Sequence, residues 1–317
     1  MTRGRLESFV DEVGSEGPVC VAGGRTQWAV GGLPHAGTRE IRAPVGVVSH
    51  QPEEMIVRVG AGTTVAELAS AVGEKSQMVV LGAPEPQRAT VGGVLAVGRS
   101  GLHRLRYGPV RDCVLEATWA TADGRLARAG GPLVKNVTGF DLCRLMVGSL
   151  GTLGLLAEVV LRCLPRPQTT RWWMGADVDP FALGAVLYRP LAVLWDGRHT
   201  WVGLAGHPAD VASQADAHLD RLVEVPGPPP MPGADQRSLD PRDLEALPAG
   251  MAGPWLAEVG VGTVHVPAGT GVEGPALDMP ALDVTAPDAA VVALNRGLKS
   301  RFDPTGRLNP GRDVLAR

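Results

Sequence analysis

Two glycine-rich stretches hold the residues whose spacing could do chemistry: AGGRTQWAVGG at 22–32 and ATVGGVLAVGRSG at 89–101. In the second, Gly92, Gly93, Gly98 and Gly101 fall within ten residues of one another. Glycine inside a regular element costs roughly 0.5–1 kcal/mol relative to alanine, so this density points to close approach of a ligand or to unusual φ/ψ values. Both stretches follow apolar runs that read as strands. Amides exposed in glycine turns or at helix starts form concave sites for anions, phosphates above all. One reading is therefore a phosphate-bearing cofactor. The other is a glycine-rich chain, with 42 glycines in 317 residues, that places them at strand ends for packing. Spacing alone leaves both open.

Other chemistries fail at the level of residue type. Cys20, Cys113, Cys143 and Cys163 lie far apart with no CxxC and no paired histidines nearby, so neither a zinc site nor an iron–sulfur cluster is readable, and the metal expectation is none. There is no GK dipeptide for a P-loop, no HExxH and no GxSxG. GAGTTV at 60–65 ends in Val65 where a Rossmann fingerprint needs its third glycine. A net charge of -3, a pI near 6.2 and the absence of like-charge runs give no pull toward nucleic acid or anionic lipid. No apolar run approaches 18 residues, and MTRGRLESFVDEVG is amphipathic and charged, so the expected compartment is the cytoplasm, without membrane insertion.

The elements that must position the glycines follow from periodicity. Arg3 to Val13 has helical spacing, PVCVA reads as a strand entering the first glycine loop, and EEMIVRVGAG is another strand. Thr63 or Thr64 can cap a helix VAELASAV, with Leu68 and Val72 on one face. QMVVLGAPEP reads as a strand broken by two prolines. VLEATWATADGRLARAG is a hairpin around Asp123-Gly124, and GFDLCRLMVGSLGTLGLLAEVVLRCLPRP is a helix, a glycine turn and a long apolar strand.

Beyond Pro167 the texture changes. Residues 169–224 read strand, helix, strand pair, helix, turning at Asp196-Gly197 and with Pro208 opening the second helix. The prolines from Pro226 to Pro232 make a semi-rigid surface loop that cannot enter a sheet interior. WLAEVGVGTVHVP supplies one more strand, and the chain closes with a helix carrying Val291, Leu294, Leu298 and Phe302 on one side, then two turns in DPTGRLNPG.

Seven segments in order carry a resemblance: AGGRTQWAVGG, VRVGAGTTVAEL, ATVGGVLAVGRSG, RYGPVRDCVLEATWATADGRLARAGG, VKNVTGFDL, GSLGTLGLLAEVVLRCLPRP and DPTGRLNPGR. Together they resemble the FAD-binding proteins of the vanillyl-alcohol oxidase and p-cresol methylhydroxylase (VAO/PCMH) family. Within it they are most similar to the FAD-binding subunits of bacterial glycolate oxidases. The resemblance covers residues 19–167 nearly continuously and returns at 295–312.

It implies an α+β fold: an FAD-binding domain of two α/β subdomains over 1–167, and a small α+β cap over 168–290 with a Pro-rich loop at 225–254. The C-terminal helix and tail, 291–317, then return to the FAD domain. Carried over by position, Gly23, Gly24, Arg25, Thr26 and Gln27 form the loop around the FAD pyrophosphate. Thr90, Gly92, Gly93, Gly98, Ser100 and Gly101 lie along the pyrophosphate, ribityl chain and ring. Gly108 and Asp112 sit beside that segment, and Gly154 with Leu155 lies near the adenine half.

Three departures qualify the resemblance. Arg25 stands where the family carries a third glycine; if that site needs φ > 0 the arginine is strained, and its guanidinium either meets a phosphate or pairs toward solvent. Phe140 replaces the usual tyrosine of GYDL. His35 and His50 fall outside the positions of a covalent flavin link, so the FAD is expected to be non-covalent.

In the cap, oxidation of a 2-hydroxy acid needs a base and a cation for the carboxylate, with the flavin accepting hydride. His265 and Arg171 are the candidates, set against a structural histidine and cation–π packing with Trp172 or Trp173. The resemblance implies a flavoprotein subunit of a 2-hydroxy-acid oxidoreductase, cytoplasmic or peripheral at the inner membrane through its partners, a catalytic flavin subunit and an iron–sulfur subunit. The alternatives are a self-sufficient FAD-dependent oxidase or dehydrogenase of a small hydroxy acid, and a scaffold subunit that has lost its flavin.

Overall fold

The computed structural model describes residues 2–131, 141–233, 235–247, 254–267 and 288–315. The chain divides into two compact units: Met1–Gly101 with Pro109–Arg166 and Pro287–Arg317, and Leu102–Gly108 with Pro167–Ala286.

The first unit is built on a five-stranded antiparallel sheet in the order Val47–Gln51, Ile56–Gly60, Leu155–Arg162, Val114–Ala120, Leu126–Gly130. Its middle strand, Leu155–Arg162, is buried along all but its last residue, which accords with a run that is apolar apart from Glu158 and Arg162 rather than alternating. The hairpin forms at Asp123-Gly124, with Gly124 at φ +70°. Glu158 on the middle strand and Glu116 beside it are both buried. Arg58 donates to each, at 2.9 and 2.7 Å, and Arg128 also pairs with Glu116.

Helix Val65–Gly73 starts with a full capping box: Thr64 accepts from the Glu67 amide while Glu67 accepts from the Thr64 amide. Its buried face is Val65, Leu68 and Val72. QMVVLGAPEP yields only the two-residue strand Gln77–Met78, paired with Leu164–Pro165. Beyond it the prolines Pro84 and Pro86 supply no ladder donor.

A separate parallel pair, Val19–Val21 with Arg39–Ile41, feeds the first glycine loop. The C-terminal tail lies against it, with Leu308 bridging in parallel to Val19. The closing helix, Ala289–Phe302, packs Leu298 and Phe302 on the core, whereas Val291 and Leu294 are 43% and 63% exposed. The single apolar side expected of this helix is therefore buried only in its second half.

The second unit is a seven-stranded antiparallel sheet, in the order Val223–Val225, Thr169–Ala176, His199–Gly206, Ala192–Trp195, Leu256–Glu258, Thr263–Val266, Asp235–Ser238. Helices Pro180–Val186 and Pro208–His218 begin at Asp179 and His207, whose side chains accept first-turn amides. WLAEVGVGTVHVP is not one strand but two: Gly260 and Gly262, at φ +79° and +85°, turn the chain back into a hairpin. The Pro-rich stretch contributes Asp235–Ser238, and only as an edge strand, the position a proline-flanked segment can take.

Candidate functional site

The loop after Val21 is the centre of the site. The carbonyls of Ala22 and Gly23 accept from Arg42 at 2.7 and 2.8 Å, and that of Gly24 accepts from Arg88 at 3.3 Å. Those of Arg25 and Gln27 accept from the amides of Trp28 and Val30. By contrast, the amides of Gly23, Gly24, Arg25, Thr26 and Gln27 have no acceptor among the described residues. A run of five unanswered N–H groups beside satisfied carbonyls leaves donors over for an anion. Arg25 sits within it at φ +58°, the left-handed region that turns successive amides toward a common side.

These residues line an open cleft of about 570 Å3, counting the solvent at its mouth. Thr90, Gly93, Leu150, Asn309 and Arg312 complete its wall. Asn309 is 8% exposed and donates through Nδ2 to the Leu150 carbonyl at 2.6 Å, leaving its Oδ1 without a partner among the described residues; the buried Oε1 of Gln27 is likewise unanswered. The cleft thus offers amide donors to an anion and two carbonyl acceptors to hydroxyl or amine donors. FAD presents a diphosphate, sugar hydroxyls and an adenine amine, so the donor set fits it.

The glycines themselves answer mostly to packing. A Cβ on Gly24 would lie 1.8 Å from the Arg88 carbonyl oxygen, and one on Gly23 would lie 2.4 Å from Thr90 Oγ1. On Gly92 it would meet Ala61 at 2.8 Å, and Gly101 stacks directly on Gly82. In helix Val91–Val97 the first amides are already engaged: Val91 with the Thr63 carbonyl, Gly92 with that of Ala61, and Gly93 with Thr90 Oγ1. Gly98 closes that helix at φ +72°.

Of the remaining sequence-derived positions, Ser100 Oγ accepts from the Val110 amide and Asp112 pairs with Arg144 at 2.8 Å. Gly154 packs under Trp119, Leu155 is buried in the central sheet, and none of these four lines the cleft. Gly108 ends the short helix Arg104–Tyr107 within the second unit. Phe140 lies outside the described residues. Among the residues named from sequence, the structure brings together Gly23–Gln27, Thr90 and Gly93. Asn309 and Arg312 were missed, although the DPTGRLNPGR segment that carries them was the one signal available.

Arg25 does not reach into the cleft as a free cation. Its guanidinium pairs with Glu40 and lies 4.9 Å from the centre of the Trp28 ring. In the second unit Arg171 is bound bidentately by Glu224, at 2.8 and 2.6 Å, and also stacks on Trp173. That hydrogen-bonded pairing holds the Glu224 carboxyl below its ordinary range. His265 is 3% exposed with its Nε2 2.7 Å from Glu258 Oε1.

The four cysteines are free and buried; burial pushes the Cys113 thiol up to about 12 and those of Cys143 and Cys163 to about 11, so none is poised as a nucleophile. Among the described residues no group of His, Cys, Asp and Glu assembles a metal site, and no helix is long and apolar enough to cross a membrane.

Comparison with known proteins agrees with the cleft. Residues 9–130 match the FAD binding domain family. Alkyldihydroxyacetonephosphate synthase shares the fold over 96% of this chain and 73% of its own, with a TM-score of 0.65 at 13% identity. Glycolate oxidase subunit GlcE of Escherichia coli is 34% identical over 166 residues, 52% of this chain and 47% of that protein. Glycolate oxidase subunit GlcD of Bacillus subtilis is 41% identical over 28% of this chain and 19% of its own length. D-lactate dehydrogenase of Anaerostipes hadrus is 31% identical over 39% and 26%. The chain matches less than half the length of each of these relatives.

Proposed function

We propose that this chain is the FAD-binding subunit of a 2-hydroxy-acid oxidoreductase of the glycolate type, acting with a catalytic flavin subunit and an iron–sulfur subunit, in the cytoplasm or peripheral at the inner membrane through those partners. The observation that carries the reading is the run of five unanswered amides at Gly23–Gln27 in a cleft with two orphaned carbonyl acceptors. The relatives' names supply the substrate class. Bound FAD would accept the electron pair of a hydroxy acid or of a partner flavin and pass it on.

The chain's own residues hold the cofactor: the loop amides take the anion, and Gln27 and Asn309 take hydroxyl or amine donors. Arg171 is neutralised by Glu224 and His265 is tied to Glu258, so neither offers an uncommitted cation or base. This supports chemistry completed by a partner rather than by the chain alone.

The first test is the visible spectrum of the purified chain. Flavin bands near ~370 and ~450 nm, ordinary for an oxidised flavin, with FAD released on heating, are expected. Glycolate or D-lactate with an artificial acceptor should show turnover only when the partner subunits are added; full turnover by the lone chain would overturn the subunit reading.

A further inference from the structure

We propose that Arg312, delivered by the C-terminal tail, is the cation that receives the FAD diphosphate and makes the site prefer ADP-bearing flavin over riboflavin. The proposal rests on the reading of the cleft as an FAD site. Two arginines stand beside Trp28, and they are not equivalent. Arg25 is neutralised by Glu40. Arg312 lies 4.6 Å from the Trp28 ring centre and spends only Nη1, donating to the carbonyls of Trp28 and Val30 at 2.5 and 2.7 Å.

Nε and Nη2 of Arg312 have no acceptor among the described residues, and no carboxylate pairs with it there. Those two N–H groups form the side-on fork of a guanidinium, which matches two phosphate oxygens in one plane. The group is half-buried, and burial draws its pKa down, as expected of a charge whose counter-ion is not supplied by the chain.

The rest of the wall narrows the ligand. The other cationic route, the start of helix Val91–Val97, is closed by Thr63, Ala61 and Thr90. An anion in this cleft is therefore met by the loop amides and by Arg312 as the cation without a carboxylate partner, beside the neutral donors Thr26, Trp28 and Thr90. Inorganic phosphate would satisfy those donors but carries nothing for Asn309 Oδ1 and Gln27 Oε1. A nucleotide diphosphate satisfies both sets, with the diphosphate on the fork and sugar hydroxyls or the adenine amine on the carbonyls.

The test is ligand binding by the flavin-free full chain, read by flavin fluorescence quenching for FAD and riboflavin and by calorimetry for ADP. Losing a charged, two-point hydrogen bond should weaken FAD and ADP about 10- to 100-fold in Arg312→Met, with riboflavin changed less than about twofold. Arg312→Lys should recover part of the loss. The salt dependence of FAD affinity should flatten in Arg312→Met, a readout that loop packing alone would not move. The proposal falls if Arg312→Met binds FAD as the wild type does, or if it loses FAD and riboflavin equally while the melting temperature of the flavin-free chain also drops. A wild-type chain that binds neither FAD nor ADP would instead bring down the FAD reading, and this proposal with it.

Discussion

At the residue scale, the position of Arg25 shows how a local departure is accommodated. A left-handed backbone is cheapest for glycine, yet Arg25 adopts φ +58° and its side chain is drawn off to Glu40 and Trp28. The loop keeps its array of amides and the arginine's charge is cancelled at the rim. Gly24 carries a different constraint, because its Cα faces the Arg88 carbonyl with no room for a side chain. Gly24→Ala is therefore expected to cost about 1–3 kcal/mol of stability by overpacking against backbone, and to weaken FAD because the neighbouring amides shift. Urea unfolding and FAD titration of the variant check both; an unchanged urea midpoint would show that the loop yields freely.

At the element scale, the C-terminal tail is held by a buried carboxylate. Asp303, 2% exposed, accepts from Lys299 Nζ at 2.5 Å and from the amides of Arg307 and Leu308. Arg307 then donates to the carbonyls of Val13, Gly14, Glu16, Gly17 and Ala122, fastening the tail to the first unit. Burial pushes the Asp303 carboxyl up, but the Lys299 ammonium and the two amides outweigh it and hold the group below its ordinary range.

A depressed carboxylate contributes stability that is full above the unfolded value of about 3.9 and is lost as pH falls through the folded value. Asp303→Asn should cost about 2–4 kcal/mol at pH 7, since it takes the carboxylate from Lys299 and leaves that ammonium with only the Thr152 and Leu308 carbonyls, and should remove that part of the acid sensitivity below about pH 4. Denaturant midpoints of both proteins across this range decide it. The same variant should loosen FAD, because Asn309 and Arg312 follow directly on this anchor.

At the scale of the whole molecule, each unit has apolar cores of its own, and the cleft described here belongs entirely to the first. Cofactor binding should therefore appear as stabilisation of that unit. FAD at 100 times its dissociation constant adds about 2.7 kcal/mol, which for a body of this size is a rise of roughly 5–10 °C in melting temperature. Riboflavin at the same concentration should give much less, since it lacks the diphosphate. A calorimetric scan with no FAD-dependent shift would contradict the cofactor assignment.

Much of this architecture is encoded in contiguous residues, and there the sequence alone sufficed. Asp123-Gly124 specifies its hairpin, Thr64 with Glu67 its helix start, and Pro208 the opening of a helix, because each rests on backbone preferences within a few residues. The ordered glycine motifs likewise identified an FAD-binding domain. What the sequence could not decide is which polar groups end up satisfied. Of the glycines of 89–101, Gly93 lines the cleft, whereas Gly92 and Gly101 meet close packing and Gly98 closes a helix; the loop at 23–27 is left with free amides. Arg171 looked available and is neutralised by Glu224 from a strand 53 positions away. Arg312 reaches Trp28 across 284 residues, and Asn309 reaches Leu150 across 159. Hydrogen-bond satisfaction is a property of three-dimensional neighbours, and only the folded chain brings those neighbours together.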